Sequence, residues 1–261
     1  MTHPPAILGL IADPLRWQLV TELGRSDRRV GELVQLVGKP QNLVSYHLGE
    51  LREAGVVRAR RSSADRRDVY YSADLIRCRD LLGAAGVTLH PAMQLAPTPP
   101  ANVAAGRGRP RVLFLCTGNS ARSQMAEALI EHRSAHAVTA RSAGSHPKPL
   151  HPNAVRVMAE RGIDIANRKT KSLTRFGRMR FDRVGTLCDK VREVCPEFGG
   201  ALAAHWSIAD PAAVAGTDAA TYPAFQRAAD EIAERVSLLL ADLAYPAHPA
   251  HRSTKRSIHH A

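Results

Sequence analysis

RVLFLCTGNSARS, residues 111 to 123, decides how the second half of this chain folds. Its first six residues are a short apolar run ending in cysteine, which reads as a buried strand. Small and polar residues follow, and over residues 123 to 132 the spacing of Met125, Ala128 and Leu129 sets them on the inner side of a helix. The alternation goes on: residues 138 to 142, 183 to 188 and 201 to 207 read as strands, and 153 to 161 and 225 to 243 as helices. Residues 111 to 245 are therefore expected to form an α/β domain with a central four-stranded parallel sheet, its ligand site beyond the carboxyl ends of the strands.

CTGNSARS lies at such an end. In a small-residue loop the successive N–H groups of Thr117, Gly118, Asn119, Ser120, Ala121 and Arg122 can converge on an oxyanion, and the helix that follows adds its positive end. Gly118 permits backbone geometry that other residues resist. The planar fork of Arg122 can meet two oxygens of a tetrahedral anion. That field is expected to favour the thiolate of Cys116, the form that attacks. Phosphate and arsenate share charge and shape, so the loop alone does not choose between them.

The chain has four cysteines, at 78, 116, 188 and 195. Its length and the sparseness of cysteine argue against a disulfide scaffold. Cys188 ends the expected strand at 183 to 188, on the same sheet edge as Cys116. Cys195 closes CDKVREVC after a polar stretch that reads as a flexible loop. A phosphatase needs one thiol, because water completes its cycle. Reducing an oxyanion takes two electrons, which a thiol pair supplies on becoming a disulfide, so three thiols can form a relay. Cys78 reads as a small packed residue.

The first half has a different pattern. Residues 7 to 23 are apolar-periodic with a break at Asp13-Pro14, where Asp can cap and Pro can open a helix. Helices follow at 29 to 37 and 41 to 54, the second with Val44, Leu48 and Leu51 facing a core. Gln41, Asn42, Ser45, Tyr46 and His47 are then free to meet base edges. Residues 56 to 61 and 68 to 72 read as two strands around a charged tip, and Arg58, Arg60, Arg61, Arg66 and Arg67 suit phosphates. Helix, turn, helix and basic hairpin make an α+β winged helix-turn-helix domain over residues 1 to 86, with DNA as its partner.

The 261 residues carry a net charge of +12. The excess is spread along the chain, so charge alone identifies no nucleic-acid domain. Residues 87 to 110, rich in Pro and Ala, read as a linker, and 246 to 261 as a basic, disordered tail. No stretch is apolar enough to span a membrane and no secretory leader opens the chain, so the expected location is the cytoplasm, with no membrane partner.

ADPLRWQLVTEL, VGELVQLVGKPQNLVSYHLGELREAGVVRARR and DVYYS resemble the ArsR-type winged-helix repressors. That resemblance implies operator DNA as partner and a homodimer formed through the N-terminal domain. GELVQLVG lacks the cysteine pair of the arsenic-sensing pattern. In the second half, CTGNSARSQMAEAL, SAGSHPKPLHPNAVRVMAERGIDI, TLCDKVREVCPEF, HWSIADPA and FQRAADEI resemble the thioredoxin-coupled arsenate reductases of the low-molecular-weight tyrosine phosphatase fold. This second resemblance implies Cys116 as nucleophile, Asn119, Arg122 and Ser123 as loop residues that orient anion and thiolate, and Asp210 as general acid. It makes Cys188 and Cys195 the further redox cysteines, arsenate the substrate and arsenite the product. No cofactor or metal is expected to be tightly bound, and the reductant is thioredoxin or a small thiol. Glu127 and Ser142 match positions that help form a potassium site in some members, and Lys171 stands where those have a carboxylate, so its ammonium is expected to replace the cation. Together the two halves imply a bifunctional repressor and arsenate reductase. The alternatives are a DNA-tethered tyrosine phosphatase and an oxyanion-sensing regulator without turnover.

Overall fold

In a computed structural model of the chain, residues 3–90, 93, 109–195 and 201–244 are described. Most of the expected linker and all of the expected tail lie outside them.

The first half begins with helices α1 (Ala6–Ala12) and α2 (Pro14–Arg25). The break between them arises as the sequence suggests: Asp13 Oδ1 accepts from the amides of Leu15 and Arg16, both at 2.9 Å, and Pro14 takes the first helical position. A two-residue strand β1 (Arg28–Arg29) leads into α3 (Val30–Val37) and α4 (Gln41–Glu53). Gly38, at φ 63°, ends α3 in a left-handed conformation that other residues resist. Strands β2 (Val57–Arg61) and β3 (Val69–Ala73) form the hairpin, and β3 pairs with both neighbours antiparallel in the order β1-β3-β2. Leu19, Leu33, Val44, Leu48 and Leu51 are buried together in one core. Helix α5 (Leu75–Leu89) then runs past residue 87, where the sequence suggests a linker.

The second half is the expected four-stranded parallel sheet, of β4 (Arg111–Cys116), β5 (Thr139–Gly144), β6 (Arg183–Thr186) and β7 (Leu202–His205), in the order β5-β4-β6-β7. The chain moves from β4 to β5 on one side and then returns to β6 on the other. The end of β4 is thus a switch point, where flanking connections diverge and leave a crevice. Helices α6 (Arg122–Arg133), α7 (Pro152–Ala159), α8 (Asp189–Val194) and α9 (Asp218–Ala244) surround the sheet, and Phe114, Met125, Met158 and Phe225 fill its core. Residues 189 to 194, which read as a loop, are the helix α8. Among the described residues no helix is long and apolar enough to cross a membrane.

The two halves pack directly. The turn after α2 covers the outer edge of β7: the Asp27 amide donates to the His205 carbonyl at 2.8 Å, and the His205 amide donates to Ser26 Oγ at 2.9 Å. Such contacts blunt an edge that would otherwise pair with another chain. Asp27 is buried and accepts from both terminal nitrogens of Arg235 on α9.

Candidate active site and nucleic-acid face

The loop of residues 117 to 121 joins the end of β4 to the start of α6. Three of its carbonyls are held by the chain that follows β5: Thr117 O accepts from the His146 amide, Gly118 O from Lys148 and Ser120 O from His151, each at 2.9 Å. Asn119 takes φ 48°, a left-handed position, and its amide donates to Cys116 Sγ at 3.2 Å. Ser123 Oγ lies 2.9 Å from the same sulfur.

Asn119 also ties the loop together from beneath. Its Nδ2 donates to Ser123 Oγ at 2.9 Å and to Ser142 Oγ at 2.8 Å, and its Oδ1 accepts from the Lys171 amide at 2.7 Å. Ser142 in turn donates to Glu127, a buried carboxylate. Lys171 Nζ reaches Glu127 Oε2 at 2.9 Å. The ammonium expected to stand in for a cation therefore lies against the acidic residue of that cluster.

Arg122 is buried, donates to the Ile208 carbonyl at 2.9 Å and meets Asp210 Oδ2 at 3.0 Å. Asp210 also caps the short turn Pro211–Ala213 by accepting from the Ala212 amide at 3.2 Å. Capping and a place beside the arginine fork are thus compatible in one residue.

Cys188 reaches the anion loop, although β6 ends at Thr186 and Cys188 is the N-cap of α8 rather than the end of the strand. Leu187 donates to Leu115 O at 2.7 Å, which carries Cys188 to the level of the loop, and Thr117 Oγ1 lies 3.2 Å from Cys188 Sγ. Cys195 lies beyond the far end of α8, half-buried, and burial pushes its thiol up to about 11. Cys78 is half-buried against the core of the first half.

One expectation about Cys116 is corrected. Burial pushes its thiol up; the Arg122 charge and the Ser123 hydrogen bond pull down and are outweighed. The physical reason is that complete desolvation penalises the thiolate, while part of the guanidinium charge is spent on Asp210.

Gly144 is a site residue that sequence reasoning missed. A Cβ there would lie 2.6 Å from Thr117 O and 2.8 Å from the Asn119 amide nitrogen. Both are backbone atoms and cannot swing aside. Gly144→Ala is expected to displace the loop and lower turnover roughly a hundredfold, the scale of a misplacement of about 1 Å beside the reacting atoms. Unchanged turnover with the variant folded would contradict this.

On the first half, Gln41, Asn42, Ser45 and Tyr46 are exposed on α4, as a recognition helix requires. His47 departs from expectation: it is half-buried, its Nδ1 3.9 Å from Asp13 Oδ1, because its place on α4 turns it toward the cap of α2. Arg61, Arg66 and Arg67 are exposed. Arg60 is not free for phosphate in this structure. Its Nη2 donates to both oxygens of Asp189, at 3.0 and 2.8 Å, and its Nε donates to Ser207 O at 2.7 Å. Alternate residues of a strand face opposite ways, and this one faces the second half. Burial pushes the Asp189 carboxyl up, but hydrogen bonds from His205, Ser207, the Ser63 amide and Arg60 outweigh it and hold the group below the usual carboxylate range.

A family model described as low molecular weight phosphotyrosine protein phosphatase matches residues 111–247, and one described as bacterial regulatory protein, arsR family, matches residues 13–59. An arsenate reductase of Halalkalibacterium halodurans is 38% identical over 126 residues, 48% of this chain and 91% of the relative. An arsenate reductase of Bacillus subtilis (strain 168) is 39% identical over the same length and shares. A solved structure described as an arsenate reductase in the phosphate binding state is 30% identical, with a TM-score of 0.46, and the match covers 51% of this chain and 98% of that one.

Proposed function

The chain belongs to the low molecular weight phosphotyrosine protein phosphatase family through residues 111–247, and on that footing we propose that it is an arsenate reductase joined to an arsR-type DNA-binding repressor. The observation that carries reductase over phosphatase is the second thiol, Cys188, beside Thr117 of the anion loop at 3.2 Å. Hydrolysis has no use for it. A two-electron reduction does.

In the proposed cycle arsenate lies on the loop amides and Arg122. Cys116 attacks arsenic, an As–O bond breaks, and water leaves. The attack needs the thiolate, so Cys116 gives up its proton as arsenate enters, and Asp210, beside Arg122, is the general acid that hands a proton to the departing oxygen. Cys188 then attacks Cys116 Sγ. The S–As bond pair passes to arsenic, which falls from As(V) to As(III), and arsenite leaves behind a Cys116–Cys188 disulfide. Cys195 attacks Cys188 and frees Cys116. A thioredoxin or small thiol reduces the resulting Cys188–Cys195 disulfide.

For the repressor half, the exposed face of α4 meets base edges, and Arg61, Arg66 and Arg67 meet phosphates. Leu8 on α1 and Leu82 and Leu89 on α5 are exposed, an apolar surface of the kind a second copy covers. We assign the homodimer contact to these terminal helices.

Arsenate turnover coupled to thioredoxin, with an aryl phosphate as competing substrate, tests the reading. Sustained arsenite formation is expected. Steady aryl-phosphate hydrolysis without arsenate reduction would overturn it. In the same assay, potassium and sodium chloride should give equal rates, because Lys171 already neutralises Glu127. A several-fold activation by potassium would refute the role given to Lys171.

A further inference from the structure

Helix α8 is the whole connection between Cys188 and Cys195, and the winged-helix half holds it at two points. At its first residue, Asp189 is fully buried. Its carboxylate accepts from Arg60 Nη2, from the Ser63 amide at 2.7 Å and from Ser63 Oγ at 2.9 Å, all on the wing. Its own half supplies Ser207 Oγ at 2.6 Å and His205 Nε2 at 3.1 Å. One turn further on, Arg192 pairs with Glu32 of α3 and lies 5.2 Å from the centre of the Tyr70 ring on β3.

Cys188 and Cys195 are seven residues apart across this helix. At about 1.5 Å per residue that sets their Cα atoms roughly 10 Å apart. A disulfide needs about 4.4 to 6.8 Å. The pair therefore cannot close while α8 is intact, and α8 is intact where Arg60, Ser63 and Glu32 hold it.

The geometry points to the winged-helix half as a latch on the thiol pair: Arg60 and Ser63 are positioning residues that keep Cys188 and Cys195 apart, and DNA phosphate competes with Asp189 for Arg60. The guanidinium that grips Asp189 cannot also neutralise a phosphate. Duplex DNA that takes Arg60 loosens α8 and favours the disulfide. By linkage, the disulfide favours DNA to the same degree. The inference rests on the proposed function only in taking Cys188 and Cys195 as partners.

The test is the thiol–disulfide equilibrium of that pair in the full chain carrying Cys116→Ser, so that Cys116 does not compete. A small-molecule disulfide buffer is the oxidant: two thiols lose two electrons and two protons, one S–S bond forms, and the buffer disulfide is reduced to two thiols. Arg60→Ala is expected to move the equilibrium about tenfold toward the disulfide, equal to about 30 mV for a two-electron couple. Arg60→Lys, which keeps the charge, should stay nearer the parent. A duplex of about 30 base pairs, long enough for two half-sites a turn apart, is added at low salt, where phosphate contacts dominate. It should move the parent in the same direction and leave Arg60→Ala where it is.

Equal equilibria in the parent, in Arg60→Ala and in the parent with DNA, or no disulfide between the pair, overturn the latch. The DNA arm needs no variant at Arg60, so it decides the matter even where Arg60→Ala does not fold. No arsenate is present, so a wild-type chain that failed to reduce arsenate would sink the functional reading and leave this measurement standing.

Discussion

Cys195→Ser should release one arsenite per chain and then stop. Cys116 and Cys188 suffice for the first reduction, since both sit at the sheet edge with Cys188 beside Thr117. What the variant lacks is the thiol that breaks the Cys116–Cys188 disulfide. Serine has the size of cysteine, but its hydroxyl cannot attack a disulfide and form a new one. With thioredoxin as the sole reductant, steady turnover is expected to fall by about a thousandfold or more, on the scale of losing a covalent catalyst. The wild-type Cys195 thiol is pushed up to about 11 by burial, so it too is a poor nucleophile until α8 opens. Quench-flow measurement of arsenite per chain reads the burst directly. Continued turnover of the serine variant would remove Cys195 from the cycle.

Cys116→Ser has the larger effect, because it takes away the attacking atom and one of the two electron donors at once. Turnover should drop by roughly 10⁴-fold or more, the range seen when a nucleophile is deleted. The amides of the loop and Arg122 stay in place, so calorimetric binding of inorganic phosphate should change only about threefold, a difference of less than 1 kcal/mol. This split distinguishes a nucleophile from a residue that only shapes the loop. Loss of phosphate binding in step with turnover would assign Cys116 a structural part.

The sequence carried more of the fold than of the site. The strand Arg111–Cys116 and the helix after it were legible because an apolar run and an apolar helical period leave strong local signals. Helix α8 was not, since DKVREV offers a single turn and hides only Asp189 and Val191 among the residues whose burial is described. Its shape depends on partners more than a hundred residues away, Arg60 and Ser63 among them.

The loop was readable from its spacing, while the state of its thiol was not. Burial of Cys116 is a property of packing, and it reverses the expectation drawn from Arg122 and the helix end. Gly144 did leave a trace, a glycine at the end of a strand. Its importance emerges only from the register that sets it opposite Cys116. Arg60 and Arg61 are alike in sequence and opposite in direction. The strand period says that they differ, and only the docking of the two halves says which one meets Asp189.

The three-thiol relay is tested most directly by a single turnover of the fully reduced wild-type chain, given excess arsenate and no external reductant, then quenched in acid and mapped by peptide mass spectrometry. One arsenite per chain, a disulfide between Cys188 and Cys195, and Cys116 returned to the free thiol are expected. Arsenite formed with Cys188 still reduced, or no arsenite at all, would contradict the relay.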